Sequence, residues 1–226
     1  MESSVITETL VNHVGQDTNA LARFFVNAFP SINNQEQYLA RTLYQLLAKG
    51  EPVTMVHLVD TLDQPLKFVQ QALEKWPGVF YNDHGDIVGF WGISVNVGRH
   101  HIEANGINAY TWCAWDSLFI PELLGTTVRV TSACAHTERP IKLVVSPDNI
   151  QSIEPAETVV SFLMPDVEKF KGNVTASFCH HVYFFSTREA GETWVSGCEG
   201  TFLLTPGEAL EVGRKMNAVR YSAVLK

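Results

Sequence analysis

The chain has 226 residues, a formal net charge of −8, 46% hydrophobic and 18% charged residues. This is the composition of an ordinary globular protein that buries a core in one large domain or two smaller ones, and it excludes a disordered chain. The negative balance works against nucleic acid or an anionic membrane as partner, because both reward clustered Lys and Arg.

The first helix is expected from a cap at Asp17 or Thr18 through Leu21, Phe24, Phe25 and Ala28, with Pro30 as its stop. A second, from Gln35 to Lys49, carries Leu39, Leu43, Leu46 and Leu47 on one face and ends at Gly50. A short helix follows over Thr54–Leu62. Pro65 then suits the first position of a helix that carries Leu66, Val69, Leu73 and Trp76. Next comes a hairpin, with strands Val79–Tyr81 and Ile87–Ile93 around a turn of Asn82, Asp83, His84, Gly85 and Asp86.

Helices followed by a β-ribbon are the order of a winged helix-turn-helix. DNA recognition needs a basic face along helix and wing. Here Lys67 and Lys75 are set against Glu74, and the wing tip carries Asp83 and Asp86. A structural or lid role suits this region better.

From about Ser94 the pattern changes to short β-branched strands with interspersed helices: Thr127–Ser132, Ile141–Val145 and Thr158–Leu163 read as strands, and Glu208–Asn217 as a late helix. The expected fold class is α+β. A winged-helix-like domain over residues 1–93 precedes a mixed α/β catalytic domain over residues 94–226 with short, mainly antiparallel sheets. No run approaches the ~20 apolar residues of a membrane span, and Met1–Val5 is not the basic start of a signal peptide. The expected location is the cytoplasm.

The four cysteines, Cys113, Cys134, Cys179 and Cys198, lie far apart and include no C-x-x-C pair, so thiols rather than disulfides are expected. The default for each is a small buried hydrophobe. Two segments depart from that default. In Ala109–Pro121, four aromatics surround Cys113 and Asp116. If a helix runs over Ala114–Leu124, these two residues sit three apart at its start and share a face. The helix N-terminus would favour a Cys113 thiolate, and apolar surroundings would favour a protonated, donating Asp116. A carboxylate that only caps the helix explains the same spacing.

The second segment, Val174–Phe185, contains Cys179, His180 and His181 and reads as a buried extended stretch, with a helical start also compatible. If it is extended, Cys179 and His180 face opposite ways and the adjacent histidines cannot clasp one ion. Neither this pair nor His100 and His101 has the ligand spacing of a zinc site. One imidazole near Cys179 could tune its thiolate instead.

The run Tyr110-Thr111-Trp112-Cys113-Ala114-Trp115-Asp116-Ser117-Leu118-Phe119-Ile120-Pro121, then Val130–Cys134, then Ser177-Phe178-Cys179-His180-His181-Val182, resembles bacterial alkylmercury lyase, also called organomercurial lyase. The resemblance covers most of the chain and implies a winged-helix-like region ahead of an α/β catalytic part. It implies that Cys113, Asp116 and Cys179 are the catalytic set and hold the Hg(II) product. It makes Cys134 structural and assigns nothing to Cys198. Some relatives carry a second cysteine where this chain has His180.

The implied reaction cleaves the carbon–mercury bond of alkyl- and arylmercury compounds, giving a hydrocarbon and Hg(II). Tyr110, Trp112, Trp115, Phe119 and Phe178 would wall the organic group. The implied enzyme needs no cofactor beyond external low-molecular-weight thiols, with handoff to a mercuric reductase, and takes neither nucleic acid nor membrane as partner. The rival readings are a mercury- or thiol-responsive DNA-binding regulator and a metal-binding module without turnover.

Overall fold

A computed structural model describes residues 17–164 and 173–225; Met1–Val5 lies outside the described residues. The chain opens with four helices: α1 (Thr18–Ala28), α2 (Asn34–Leu47), α3 (Met55–Leu62) and α4 (Leu66–Lys75). Each starts where the local chemistry supplies an acceptor for orphan N–H groups or makes one unnecessary. Asp17 accepts from Asn19, Thr54 accepts from His57, and Asn33 and Glu36 form a reciprocal capping box. Pro65 precedes α4 and presents no N–H. Leu39, Leu43 and Leu47 of α2 are fully buried, and Gly50 turns the chain away at φ +86°. Leu66, expected on the buried face of α4, is exposed, because the first turn of that helix overhangs solvent while Val69, Leu73 and Trp76 reach the core.

An eight-stranded sheet follows, built from β1 (Val79–Tyr81), β2 (Ile87–Phe90), β3 (Ile93–Ser94), β4 (His100–Ala104), β5 (Ile107–Thr111), β6 (Val128–Ala133), β7 (Pro140–Val145) and β8 (Ile150–Glu154). Its order is β1-β2-β3-β5-β4-β6-β7-β8, and its pairings are antiparallel. The strand expected to run unbroken over Ile87–Ile93 is instead two strands. Trp91 (φ 34°) and Gly92 (φ 102°) form a two-residue turn that folds β3 back on β2, pairing Phe90 with Ile93. Such loops need positive φ at both central positions, which tryptophan adopts rarely, so the turn is hard to read from sequence. The sheet is continuous through residues 93 and 94.

Helix α5 (Asp116–Leu124) lies between β5 and β6. A second, three-stranded sheet is formed by β9 (Val159–Leu163) between β10 (Phe184–Phe185) and β11 (Thr201–Leu204). The segment expected to be extended from Val174 is a short helix α6 (Val174–Ser177) and a 3₁₀ turn over Cys179–His181; only Phe184–Phe185 is strand. Asn173 caps α6 through Ala176, a local bond that wins over β-propensity in this stretch. Helices α7 (Arg188–Val195) and α8 (Pro206–Arg220) complete the described chain, and α8 packs on α1 and α5.

The crossing of α8 over α5 is tight because Gly213 has no side chain. A Cβ there would come within 2.3 Å of the Phe119 Cβ. Gly213→Ala should therefore lower stability by about 2 kcal/mol despite alanine's better helix propensity. Urea unfolding measures this; a midpoint at or above that of the unsubstituted protein would contradict the packing.

Candidate active site

Cys113 lies in the short connection between β5 and α5, and local hydrogen bonds fix its backbone. The Thr111 hydroxyl donates to the Cys113 carbonyl at 3.0 Å, and the Cys113 N–H donates to Asp116 Oδ2 at 2.9 Å. Asp116 therefore reaches back to the cysteine and does not cap its own helix, which has no side-chain cap. The Trp112 N–H donates to the Gly92 carbonyl at 2.9 Å, tying the connection to the β2–β3 turn.

Cys179 arrives on the 3₁₀ turn. His181 N–H donates to the Phe178 carbonyl and Val182 N–H to the Cys179 carbonyl, at 2.9 and 3.2 Å. Ser161 of β9 staples this turn, donating to the His181 carbonyl at 2.7 Å and accepting from the Tyr183 N–H at 2.9 Å. The two segments meet where the Ala114 N–H donates to the Val182 carbonyl at 3.1 Å. The two sulfurs of Cys113 and Cys179 and a carboxylate oxygen of Asp116 consequently lie within 4.8 Å of one another. Among the described residues, this is the one cluster of three or more Cys, His, Asp or Glu donors close enough to share an ion.

Residues 93–217 match the family model for alkylmercury lyase, MerB, and residues 29–91 match that for the helix-turn-helix domain of alkylmercury lyase. The chain belongs to the alkylmercury lyase family. The alkylmercury lyase of Streptomyces lividans is 38% identical over 79% of this chain and 81% of its own. Those of Bacillus cereus (37% identical over 80% of this chain and 81% of its own) and Pseudomonas putida (36% over 87% and 92%) are similar. The fold is shared with the solved mercury-bound form of MerB2, at a TM-score of 0.72 and 22% identity over 87% of this chain and 96% of that one.

The site is buried. Cys113, Cys179 and Asp116 are exposed by 0%, 3% and 5% of their surface. Burial pushes the Asp116 carboxyl up to about 7, against hydrogen bonds from the Cys113 side chain and backbone that hold it down. Burial, the Cys179 thiol and the Asp116 carboxylate push the Cys113 thiol well above its ordinary range. The contact with Cys113 pulls the Cys179 thiol down, but burial and the Asp116 charge outweigh it and the net shift is upward. The thiolate expected at Cys113 from the helix N-terminus is thus not the resting form. Desolvation and a neighbouring carboxylate oppose it more strongly than a helix end favours it.

The expected tuning imidazole is not what acts on Cys179: His180 points to solvent and His181 is half-buried, while the groups that shift Cys179 are Cys113, Asp116 and its own backbone. His100 is buried against the Ser132 hydroxyl at 2.8 Å, and burial lowers it to about 3; His101 meets Asn108 at 2.7 Å. Cys134 is buried where the Thr137 N–H donates to its sulfur at 3.4 Å. Cys198 is half-buried.

The aromatic residues divide. Trp115, Phe119 and Phe178 pack in the core, with Trp115 4.8 Å from Phe119 and 5.6 Å from Phe178 between ring centroids, and its indole N–H donating to the Ala209 carbonyl. Tyr110 lies against His101. Trp112, the residue before Cys113 in the chain, lines a cleft of about 260 Å³ together with Phe80, Arg99, Thr111 and Thr175. Phe80 of the wing meets Trp112 edge to face at 5.1 Å. Sequence reasoning missed Phe80, Ser161 and Gly92. A serine within a β-branched strand and a glycine after an aromatic were the only signals for the last two.

The raised Asp116 carboxyl sets a pH dependence. Its folded value of about 7 lies above the ordinary 3.8. Below pH 4 both folded and unfolded chains hold the proton, so nothing is lost; between about 4 and 7 only the folded chain does, and stability falls as pH rises. Asp116→Asn should therefore gain stability relative to the parent between pH 5 and pH 8, on the order of a few kcal/mol. Urea unfolding at both pH values checks this, and an identical difference at the two would contradict it.

Proposed function

We propose that the chain cleaves the carbon–mercury bond of alkyl- and arylmercury compounds, using Cys113 and Cys179 as mercury ligands and Asp116 as proton carrier. The observation that carries this reading is the buried group of two thiols and one carboxylate within 4.8 Å, in a chain of this family. Mercury is a soft ion and prefers sulfur. One thiol displaces the counter-ion X of R–Hg–X, forming an S–Hg bond and releasing HX. The second thiol then binds the same mercury and gives its proton to the Asp116 carboxylate. Two sulfur ligands push electron density onto the carbon. Asp116 returns the proton to that carbon, the C–Hg bond breaks, and R–H leaves. Hg(II) stays on Cys113 and Cys179, with Asp116 beside it.

The electrostatics support each role. Thiols that stay protonated at rest need a nearby base, and a carboxyl at about 7 can both accept a proton and donate one at neutral pH. Trp112 and Phe80, which line one cleft and meet edge to face, would wall the organic group. No cofactor takes part; external thiols strip Hg(II) from the cysteines, with handoff to a mercuric reductase. The reading gives the helix-turn-helix region a supporting rather than a DNA-binding role, and the pairing of Lys75 of α4 with Glu36 at 3.0 Å is consistent with it.

Incubation with phenylmercury and excess thiol should yield one benzene per mercury released; no benzene from folded protein would refute the proposal. Cys113→Ser and Cys179→Ser should each abolish turnover, and full activity in either would refute the two-thiol mechanism. Asp116→Asn should still take up mercury but release benzene about 100- to 10,000-fold more slowly. Unchanged benzene release would return Asp116 to a purely structural role.

A further inference from the structure

The Asp116 carboxylate is pressed against the β2–β3 turn. A Cβ placed on Gly92 would lie 2.5 Å from Asp116 Oδ1 and 2.6 Å from its Cγ. The other oxygen, Oδ2, is already engaged by the Cys113 N–H at 2.9 Å. The carboxylate cannot retreat from a methyl group at residue 92 without giving up that bond. The same glycine accepts the Trp112 N–H through its carbonyl at 2.9 Å, so it touches the residue before Cys113 as well as the acid after it.

The turn is itself held from the helical part of the chain. Tyr44 of α2 is buried and donates its hydroxyl to the Trp91 carbonyl at 2.7 Å. The Trp91 indole donates to the Pro77 carbonyl at 2.6 Å, and the buried Arg220 guanidinium lies over the Trp91 ring, 5.0 Å from its centroid. These contacts keep Trp91 at φ 34°, a conformation that a bulky residue adopts only when its surroundings impose it.

The geometry points to Gly92 as a positioning residue for the proton transfer, its bare Cα forming the wall against which Asp116 is aimed, with Tyr44 as the strut that holds that wall. The inference rests on Asp116 being the proton carrier. It gives the winged-helix-like region a part in the chemistry: β2, the turn and Tyr44 all precede residue 93, yet they fix the acid. Misaiming a proton donor by about 1 Å costs on the order of 100-fold in rate, whereas the first capture of mercury, in which one thiol displaces the counter-ion, does not use Asp116.

The test separates capture from protonolysis in single turnovers with phenylmercury. Gly92→Ala should bind phenylmercury stoichiometrically with unchanged affinity and release benzene about 100-fold more slowly. Gly85→Ala is the control for backbone strain. Its φ of +82° is as unfavourable for alanine, but nothing lies within 4 Å of the added methyl, so its benzene release should match the parent. Tyr44→Phe should slow benzene release about tenfold, again with capture intact.

A parent-like rate in Gly92→Ala overturns the inference. So does loss of capture in proportion to rate, or an equal loss in Gly85→Ala. If Gly92→Ala does not fold, Tyr44→Phe decides, and a parent-like rate there overturns it. Absence of benzene from the unsubstituted protein would instead defeat the proposed function itself.

Discussion

A carboxylate in a buried interior is costly unless something stabilises its charge, and the protein places Asp116 in such a setting beside two thiols. The single bond that organises this arrangement is the one from the Cys113 N–H to Asp116 Oδ2. It closes a three-residue loop at the start of α5, fixes the carboxylate over the Cys113 thiol, and leaves the other oxygen against Gly92. Each feature that bears on the chemistry depends on that placement. The thiols are held protonated by burial and by this neighbouring acid, and the acid is brought by the same burial to a proton affinity near neutrality.

Three separate parts of the chain converge on this point. The β5–α5 connection supplies Cys113 and Asp116, the 3₁₀ turn stapled by Ser161 supplies Cys179, and the Trp91–Gly92 turn supplies the wall behind the acid. Because the eight-stranded sheet runs unbroken through residues 93 and 94, the strands of the wing share one hydrogen-bonded layer with those that lead to Cys113. That continuity explains how a helix-turn-helix-type region can act as the support of a buried site. It also explains why Phe80 of the wing comes to face Trp112.

The helices of the first part were legible because local chemistry and apolar spacing agree there: Asp17, Thr54 and Pro65 each stand at a real helix start, whereas the Asn33 cap of α2 went unread. The strands at β6, β7 and β9 were legible from their β-branched runs. The Cys179 segment was not, since Asn173 and Ser161 impose a helical turn on residues whose propensity favours strand. Nor was the Trp91–Gly92 turn, whose positive φ is imposed by Tyr44 and Arg220 from distant parts of the sequence. Within the site, the pairing of Cys113 with Asp116 was visible as a spacing, but its meaning was not. Choosing between cap and acid required knowing that the carboxylate is buried and reaches back to Cys113. The thiol's state was misread for the same reason, since burial is a tertiary property that outweighs a helix end.

The central claim is that both sulfurs and the acid act on one mercury atom. Mercury-edge X-ray absorption on protein reacted with one equivalent of phenylmercury tests it most directly. The account predicts mercury bonded to two sulfurs with no carbon ligand once benzene has left, and one sulfur with the phenyl carbon retained in Cys179→Ser. A product with a single sulfur ligand in the unsubstituted protein, or the same two-sulfur spectrum without Cys179, would contradict it.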